Sequence, residues 1–493
     1  MKVFTYDEVA KHGSRDDCYV ILYNKVYDLT EFIPHHPGGA QVIIKHAGKD
    51  ATSIFDPVHQ AGTIEKFLPP EKFLGEVDTS TQPAELREER EAERRAEEER
   101  RKKIPPLGQC LNLRDFEVVA REIMSPLAWA YYSSAADDNE SYNENLNAFR
   151  RIYFRPRILR DVSRVEPQAR LLSHRSSLPV YITATALGRL GHPDGEKNLT
   201  IAAARQGLIQ MVPTLSSCSM EEVVGARDAE GRPTQFFQLY VNADRKVVLD
   251  MVRRAENLGM QALFVTVDAP QLGRRERDMR MHFDDQGSHV QGGTDVNRDE
   301  GAARAISSFI DPSLNWNDIV WLRTITRLPI VLKGVQTWED CVQAAEMGLA
   351  GVVLSNHGGR QLDFARSGVE VLEECVTALK QRGLFPKPWF QLFVDGGIRR
   401  GTDVLKCVAL GATAVGIGRP FLYAYSAYGP AGVERGIQLL RDEIEMCMRL
   451  IGAPTLRDLV PEMLDLRALH THGMGARPDD GSNALNPSGH SKL

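Results

Sequence analysis

Eight short apolar runs recur between Leu178 and Pro420, and stretches of helical character separate them. The runs read LPVYITATAL, LIQMVPTL, FFQLYV, ALFVTVDA, LPIVLKG, AGVVLSNHGG, QLFVDGG and AVGIGRP. Strands that alternate with helices indicate βα units and a parallel sheet. Eight such units close into a barrel whose active site lies at the carboxyl ends of the strands. The sequence therefore predicts an α/β fold built on a (β/α)8 barrel.

Polar side chains or glycines finish nearly every run. A single polar residue at a strand end is consistent with a helix cap, but residues from several strand ends converge on one face of a barrel. The pattern therefore predicts a functional site at this face. Its members are Ser216, Gln238, Tyr240, Thr266, Asp268, Lys333, Ser355, His357, Asp395, Gly418 and Arg419.

The motif SNHGGRQLD supplies candidate acid–base and carboxylate-binding groups at this face. His357 is a candidate general base, because imidazole titrates near neutral pH. Arg360 can hold a carboxylate beside it, Arg275 supplies a second guanidinium, and Asp268 can stabilise the protonated His357. Lys333 can place a positive charge against a cofactor whose reduced form is anionic. A salt bridge between Asp268 and Arg275 with His357 in the core is the structural alternative.

Two glycine-rich strand ends indicate a phosphate site. DGGIRRG places Gly396 and Gly397 where backbone N–H groups can approach an anion, with Arg399 beside them. GIGRP places Gly418 and Arg419 after the last strand, where barrels often hold a phosphate. We expect the phosphate to belong to a cofactor, since the other strand ends carry acid–base and carboxylate-binding groups.

Near the N-terminus, the stretch FIPHHPGGAQVIIKHAGKDATSIFDPVH contains two spaced histidines, His36 and His59. Haem ligation needs an imidazole on each face of the ring and apolar walls around it. Each histidine alone is more often a surface residue beside a turn, and the Pro-Gly-Gly turn, the spacing and the flanking apolar residues favour the ligand interpretation. YDLTEFIPHHPGG and AGKDATSIFDPVH resemble the two ligand loops of the cytochrome b5 family. This resemblance implies a small α+β domain, b-type haem and iron ligation by His36 and His59.

A highly charged segment divides the chain. Between residues 87 and 103 only Ala92 and Ala96 are uncharged, so no apolar stripe is available for burial. Glu–Arg pairs four residues apart favour a solvated helix that acts as a spacer, and a protein-docking helix is the alternative. We therefore predict a haem domain over 1–77, a helical linker over 78–108, a barrel over 109–470 and a flexible tail over 471–493.

The barrel segment resembles the FMN-dependent L-2-hydroxy-acid oxidases and dehydrogenases. The matching motifs are AWAYYSSAADD, NAFRRIYFRPRIL, FFQLYV, TVDAP, SNHGGRQLDF, VDGGIRRGTDVLKC and GIGRPFLY. A cytochrome b5-like domain in front of such a barrel is the layout of the haem-fused branch of this family. The resemblance thus implies an FMN-binding TIM barrel preceded by a haem domain.

The same resemblance implies a role for individual residues. Tyr131 and Tyr240 would hydrogen-bond the substrate, whose carboxylate Arg275 and Arg360 would bind. His357 would take the hydroxyl proton if hydrogen leaves as hydride, or the Cα proton if a carbanion forms, and both routes stay open. Lys333 would face the flavin, and the isoalloxazine ring would contact Ala184, Thr185, Ala186, Ser216, Gln238, Thr266 and Ser355. The ribityl phosphate end would contact Asp395, Gly396, Gly397, Ile398, Arg399, Gly418 and Arg419.

The activity implied is oxidation of an L-2-hydroxy acid, with L-lactate to pyruvate favoured. Electrons would pass from FMN to haem and on to an external acceptor such as cytochrome c, and the family assembles as a homotetramer. One alternative is a peroxisomal FMN-dependent (S)-2-hydroxy-acid oxidase that produces hydrogen peroxide. A haem- and FMN-binding sensor or scaffold is the alternative outside enzymes.

Composition excludes several classes of partner. A net charge of -6 and a pI near 6.2 argue against nucleic acid. No apolar run reaches the roughly 20 residues of a membrane span. The seven cysteines form no CxxC pair, which predicts free thiols in a reducing compartment.

Two further segments carry expectations. The chain ends in Ser491, Lys492 and Leu493, a tripeptide that a peroxisomal import receptor reads. It starts without an apolar targeting segment, whereas the yeast members of the haem-fused branch carry a mitochondrial presequence. We therefore expect a peroxisomal enzyme, with the cytoplasm or the mitochondrial intermembrane space as the alternative. The glycine-rich stretch 282–310 is expected to form a loop over the flavin, either a lid or an insertion.

Overall fold

The computed structural model describes residues 2–36, 40–60, 62–281 and 309–470. Nearly all of the expected loop over the flavin, residues 282–308, lies outside the described residues. So does the C-terminal segment 471–493 with its Ser-Lys-Leu tripeptide.

The N-terminal unit is a five-stranded sheet with short helices on it, in the strand order β1-β5-β4-β3-β2. Its strands are β1 (Lys2–Phe4), β2 (Gly13–Ser14), β3 (Asp17–Leu22), β4 (Lys25–Asp28) and β5 (Phe73–Val77). Its helices are α1 (Tyr6–Ala10), α2 (Ala40–Lys45), α3 (Thr52–Phe55) and α4 (Thr63–Phe67). The sheet buries one face beneath an apolar cluster that includes Ile33 and Ile43, which confirms the predicted α+β fold.

Helix α5 (Ala84–Lys102) occupies the charged segment. Ion pairs link Arg95 to Glu91 at 3.1 Å and Arg101 to Glu97 at 3.0 Å, as their spacing predicts. Arg90 also pairs at 3.0 Å with Asp50 of the N-terminal unit, whose side chain is only 3% exposed. The helix is therefore fastened to the N-terminal unit at one point, and its other described charges lie mostly in solvent.

The eight predicted runs form a closed parallel barrel, which confirms the main prediction. The strands, in chain order, are β9 (Val180–Ile182), β10 (Ile209–Val212), β11 (Gln235–Leu239), β12 (Leu263–Thr266), β13 (Ile330–Val335), β14 (Gly351–Leu354), β15 (Gln391–Asp395) and β16 (Ala414–Ile417). Strand β16 pairs with β9 through Val415 and Val180, and this pairing closes the barrel. Before the barrel, β6 is Tyr153–Phe154, and β7 (Ala169–Leu171) pairs with β8 (His174–Ser176).

Helices surround the barrel and seal its outer core. Ahead of it lie α6 (Leu113–Ile123), α7 (Pro126–Ser133) and α8 (Glu140–Arg150). Around it lie α9 (Lys197–Gln206), α10 (Met220–Ala229), α11 (Arg245–Asn257), α12 (Glu276–Arg280), α13 (Trp316–Ile325), α14 (Trp338–Glu346), α15 (Gly368–Gln381) and α16 (Gly401–Leu410). The chain continues through α17 (Arg419–Ile451), kinked at Gly429, then β17 (Leu464–Asp465) paired with β6, and α18 (Arg467–His470).

The interior of the barrel is filled by aromatic rings. Tyr181, Phe236, Phe264 and Phe393 come from four different strands and are at most 1% exposed. The rings of Phe236 and Phe264 stack with centroids 5.2 Å apart, and Phe393 meets Tyr181 edge-on at 5.8 Å. Rings packed in this way hold the strand ends in fixed positions, because a close-packed interior resists displacement.

The N-terminal unit contacts the barrel through the segment that follows α3. The Gln60 side-chain amide donates to the backbone carbonyl of Ser216 at 2.7 Å. The Ser217 hydroxyl donates to the carbonyl of Pro57 at 3.0 Å. Val58 packs against the barrel's outer core. The segment that carries His59 thus lies against the loop after β10.

Within the described ranges, no helix is both long and apolar enough to cross a membrane. All seven cysteines are buried and unpaired, as the sequence predicts. Burial raises the pKa of several of these thiols, including that of Cys218, which rises to about 11.

Replacing Phe264 by alanine is expected to destabilise the chain by about 3–5 kcal/mol, because the barrel interior cannot close around the lost ring. Phe364→Ala is the matched control, since that phenylalanine is 63% exposed. Urea unfolding followed by circular dichroism measures both. Equal midpoints for the two variants would contradict this account of the interior.

Candidate active site

A cavity opens at the carboxyl ends of the barrel strands, as expected for this fold. The predicted residues that line it are Tyr131, Ala184, Thr185, Ala186, Gln238, Tyr240, Thr266, Arg275, Lys333, His357, Arg360, Asp395, Gly396, Gly397, Ile398, Arg399, Gly418 and Arg419. Three predicted residues, Ser216, Asp268 and Ser355, stand behind this lining. Residues that sequence reasoning missed also line the cavity, among them Tyr132, Thr183, Pro213, Leu272 and Leu422.

The centre of the site is His357, which follows β14. Its Nδ1 lies 2.9 Å from Oδ1 of Asp268, which follows β12, and its Nε2 lies 3.4 Å from the hydroxyl of Tyr240, which follows β11. The backbone of His357 has φ of 59°, a left-handed conformation that is uncommon for any residue with a side chain. The Ser355 hydroxyl accepts its backbone N–H at 3.0 Å and helps to hold it there. Nε2 is thereby presented to the cavity while Nδ1 is engaged.

Burial dominates the acid–base properties of this pair. It lowers the pKa of His357, and the Asp268 carboxylate opposes that change without cancelling it. Burial alone would raise the pKa of Asp268, but the charges of His357 and Lys333 and the hydrogen bond from His357 outweigh it and lower that pKa. The arrangement is a neutral imidazole backed by a carboxylate, which is suited to accepting a proton from a bound molecule.

Two guanidinium groups stand beside the imidazole. Arg360 donates to the backbone carbonyls of Tyr131 at 2.9 Å and Ser134 at 2.8 Å, and its guanidinium lies over the Tyr131 ring. Burial and then the neighbouring Arg275 lower the pKa of Arg360 to about 10, so it stays charged at neutral pH. A buried and a half-buried cation whose charges interact favour an anionic ligand between or beside them.

Arg275 is held by Gln361, which follows Arg360 in the SNHGGRQLD motif. The Gln361 side-chain oxygen accepts from Arg275 at 3.3 Å, and its amide donates to the carbonyls of Asp268 at 3.0 Å and Gln271 at 2.9 Å. Gln361 therefore fixes the loop that carries both Asp268 and Arg275. Its place next to Arg360 in the motif gave no indication of this role, since the contact joins residues far apart in sequence.

Lys333 is held by a carboxylate and a hydroxyl. Its Nζ lies 3.1 Å from Asp395 Oδ2 and 3.4 Å from the Ser355 hydroxyl, and Ser355 in turn donates to Asp395. Burial lowers the pKa of Lys333, but the charges of Asp395 and Asp268 outweigh it and raise that pKa. Lys333 thus stays a fixed cation against the cavity, and in this structure Asp395 bonds Lys333 and Ser355.

The glycine-rich strand ends form the opposite side of the cavity. Gly397 has φ of 81°, and a Cβ there would lie 1.9 Å from the carbonyl oxygen of Asn145. Glycine is therefore required at this position so that the strand end can pack against α8. This is a second reason for the glycine, besides the predicted approach of an anion. Arg419 donates to the carbonyls of Tyr132, Ser134 and Gly358 at 2.8–3.0 Å, which fixes its guanidinium at the cavity wall.

The charges of the lining do not balance. Among the described residues of the lining, the cationic side chains are Arg275, Lys333, Arg360, Arg399 and Arg419, and Asp395 is the one carboxylate. Because neighbouring buried cations repel one another, this cavity favours occupants with negative charge. A carboxylate substrate near Arg360 and a phosphate near Arg399 and Arg419 meet that requirement.

Two of the predicted flavin-contacting residues have hydroxyl groups that a bound FMN could hydrogen-bond. The hydroxyls of Thr185 and Ser216 are buried and have no partner in the described part of the chain. Buried hydroxyls normally find partners, so a polar ligand at these positions accounts for both. Leu215 lines the cavity together with Ala186, whereas Leu187 and Cys218 belong to the surrounding core.

The two predicted haem ligands lie opposite each other in the N-terminal unit. The rings of His36 and His59 have centroids 6.2 Å apart, and the Phe55 ring stacks on His59 at 4.0 Å. Metal–imidazole bonds of about 2.0–2.1 Å plus a ring radius on each side give a comparable separation, so one iron atom fits between them. The Phe55 carbonyl lies 3.0 Å from His59 Nδ1, which leaves Nε2 for a metal.

Comparison with known proteins agrees with both sites. Residues 120–466 match the FMN-dependent dehydrogenase family, and residues 5–78 match the cytochrome b5-like haem/steroid binding domain. L-lactate dehydrogenase (cytochrome) of Wickerhamomyces anomalus is 53% identical over 96% of this chain and 82% of its own length. The Saccharomyces cerevisiae enzyme of the same name is 49% identical over 96% of this chain and 81% of its own. A mutant flavocytochrome b2 solved with pyruvate bound has a TM-score of 0.71 and 49% identity, covering 78% of this chain and 94% of that one.

The barrel and its site thus define a flavin-dependent oxidoreductase. The chain belongs to the FMN-dependent dehydrogenase family, with a cytochrome b5-like domain in front of the barrel. Along nearly its full length it is similar to flavocytochrome b2, the cytochrome-linked L-lactate dehydrogenase. Its cofactors are FMN in the barrel and haem in the N-terminal unit.

The predicted peroxisomal location is wrong. The relatives that match 96% of the chain are the cytochrome-linked lactate dehydrogenases of yeasts, the haem-fused and mitochondrial branch of the family. The prediction rested on three residues, Ser491 to Leu493. Three residues are a weak basis for a location, because so short a match also arises by chance.

Asp268→Asn is expected to move the acidic limb of the kcat/KM profile to lower pH, because it removes the group that opposes the lowering of the His357 pKa. In the unsubstituted chain, activity should fall when His357 gains a proton. Because its pKa is lowered, this should occur below the ordinary histidine pKa of about 6.5. The maximal rate should fall by about 10²–10⁴-fold, since the imidazolium loses its carboxylate. Asp161→Asn, at an exposed turn, is the control, and an unmoved limb in Asp268→Asn would refute the pairing.

Replacing either His36 or His59 by alanine is expected to abolish b-type haem absorbance, because six-coordinate binding needs both imidazoles. The visible spectrum of the chain reconstituted with haem measures this. His35→Ala and His46→Ala are matched controls from the same unit and should keep the haem. Retention of the six-coordinate spectrum in His36→Ala would assign the ligand elsewhere.

Proposed function

We propose that this chain oxidises L-lactate to pyruvate in the barrel and passes the electrons through the haem of the N-terminal unit to an external acceptor. The observation that carries the proposal is the His357–Asp268 pair facing a cationic cavity, in a chain that also holds the His36–His59 pair. The names of the relatives that match 96% of the chain support L-lactate as the substrate.

Each polar group around His357 has a task in this reaction. The cationic groups of Arg275 and Arg360 bind the substrate carboxylate and orient the adjacent carbon toward the imidazole. Tyr240, whose pKa burial and the nearby Asp268 raise, stays protonated and can donate a hydrogen bond to the substrate oxygen. His357 Nε2 accepts one substrate proton, and Asp268 stabilises the resulting imidazolium.

Oxidation of the hydroxyl to a carbonyl releases two electrons and two protons from the substrate. Bound FMN supplies the two-electron acceptor, and haem supplies a one-electron carrier. Lys333 keeps a positive charge at the cavity wall, where it can stabilise negative charge on the reduced flavin. The hydride and carbanion routes use the same residues. In the first, His357 takes the hydroxyl proton and the Cα hydrogen leaves with both electrons; in the second, His357 takes the Cα proton and the electron pair leaves separately.

The path beyond the haem and the assembly are part of the same proposal. The described segment with His59 lies against the barrel, so electrons have a short route between the two cofactors. The word cytochrome in the names of the relatives supports a cytochrome c-like protein as the next acceptor. We also propose a homotetramer, and a division of the chain at about residues 77, 108 and 470.

The test is anaerobic mixing of the FMN- and haem-loaded chain with L-lactate. Flavin absorbance should bleach first and reduced-haem bands should follow, whereas D-lactate should produce neither change. His357→Gln should slow flavin reduction by about 10²–10⁴-fold while FMN stays bound, because the base is lost. His174→Gln, at the opposite end of the barrel, is the matched control.

Three outcomes would contradict the proposal. Rapid flavin reduction in His357→Gln would refute the assigned base. Release of one peroxide per lactate in air, with the haem left oxidised, would show an oxidase instead of a haem-linked dehydrogenase. A chain that binds both cofactors and reduces neither with any 2-hydroxy acid would support a sensor or scaffold.

A further inference from the structure

A buried carboxylate outside the active site organises the surface on which the haem-binding unit rests. Glu196 is 0% exposed and is not part of the cavity lining. Its Oε1 accepts backbone N–H groups of Gly188 at 2.8 Å and Ser217 at 3.0 Å, and its Oε2 accepts that of Cys218 at 3.1 Å. A buried carboxylate is costly unless it is hydrogen-bonded, so this one is retained for the positions of the three amides it holds.

Those amides belong to the loops after two adjacent strands, β9 and β10. A Cβ at Gly188 would lie 2.8 Å from the Glu196 carboxyl carbon, so the first loop closes directly on the carboxylate. The loops also meet through the Leu187 N–H, which donates to the Leu215 carbonyl at 3.3 Å, and Leu187 has φ of 57°. A leucine in this strained conformation persists only where its surroundings hold it. Glu196 is the buried anion common to both loops.

The same two loops receive the haem-ligand segment. The Ser217 hydroxyl accepts the Arg189 N–H at 3.2 Å and donates to the Pro57 carbonyl at 3.0 Å. One residue before it, the Ser216 carbonyl accepts the Gln60 amide at 2.7 Å. The charge of Arg189 also interacts with that of Asp56. Residues 56–60 therefore meet a set of barrel groups whose positions Glu196 fixes from behind.

These contacts connect the two cofactor sites by a short stretch of chain. Gln60 follows the predicted iron ligand His59, and Leu215, which lines the cavity, precedes Ser216. We propose that Glu196 is a positioning residue for electron transfer: it shapes the docking site at Ser216 and Ser217 that holds His59 near the flavin cavity. This inference rests on the proposed function and deepens it, since it assigns the step between the two cofactors to particular residues.

The experiment uses the full chain loaded with FMN and haem, in three variants. Glu196→Gln places an amide N–H against backbone N–H groups, Ser217→Ala removes the bond to Pro57, and Gln60→Glu replaces the donor at Ser216 by a carboxylate. The matched controls are Ser176→Ala, a buried serine at the other end of the barrel, and Gln82→Glu, outside the contact.

Two readouts are compared. Hydrogen exchange of residues 52–60, measured without substrate, should accelerate by about 2- to 10-fold in the variants, the change that one lost hydrogen bond makes in an equilibrium. After anaerobic mixing with L-lactate, haem reduction should slow by a similar factor while flavin reduction keeps its rate. The controls should change neither readout. A residue that only stabilised the barrel would not separate the two reduction steps.

Several results would overturn the inference. Unchanged exchange and unchanged haem reduction in Ser217→Ala and Gln60→Glu would do so, whether or not Glu196→Gln folds. Equal slowing of flavin and haem reduction in Glu196→Gln would assign that residue to the active site itself. If the unsubstituted chain bound no haem, the proposed function would fail, and the exchange of residues 52–60 would still decide whether this docking contact exists.

Discussion

Closure of the parallel barrel is the constraint on which the other features depend. Pairing of β16 with β9 joins Val415 to Val180 and brings all the strands into one ring. Because the strands are parallel, their carboxyl ends meet at one rim, and residues distant in sequence become neighbours. Asp268 and His357 are 2.9 Å apart for this reason, although they follow strands β12 and β14. The aromatic interior sets the spacing of these ends, since rings from four strands fill it without room for adjustment.

Within the rim, burial makes charge pairing decisive. Two ion pairs show this: Asp395 keeps Lys333 charged, and Asp268 stabilises the protonated imidazole that forms when His357 accepts a proton. Backbone carbonyls hold the guanidinium groups of Arg360 and Arg419, and the Gln361 side chain holds that of Arg275. Such a site is incomplete until anions enter it. A carboxylate substrate and a phosphate-bearing cofactor therefore stabilise the same cationic cavity in different places.

The contact between the two cofactor-binding units is mostly polar, unlike the close-packed interior of the barrel. Their described contacts include hydrogen bonds at Pro57 and Gln60, the apolar residue Val58 and a charge interaction between Asp56 and Arg189. Polar contacts of this kind resemble transient interfaces and permit relative motion of domains. On the barrel side, Glu196 holds the contact surface from a fully buried position.

The sequence by itself determined the barrel, the cofactors and most of the site. Apolar runs indicate which segments are buried as strands. The SNHGGRQLD motif and the two spaced histidines carry their functional groups within short stretches of sequence, where they can be recognised. Only the tertiary structure showed that Gln361 holds Arg275, that Asn145 requires a glycine at 397, and that Glu196 braces two loops. These roles depend on which distant backbone groups come to lie beside a side chain in the folded protein. A local sequence pattern does not specify those contacts. The tripeptide at the C-terminus misled for a related reason, because a short motif specifies a function only in its context.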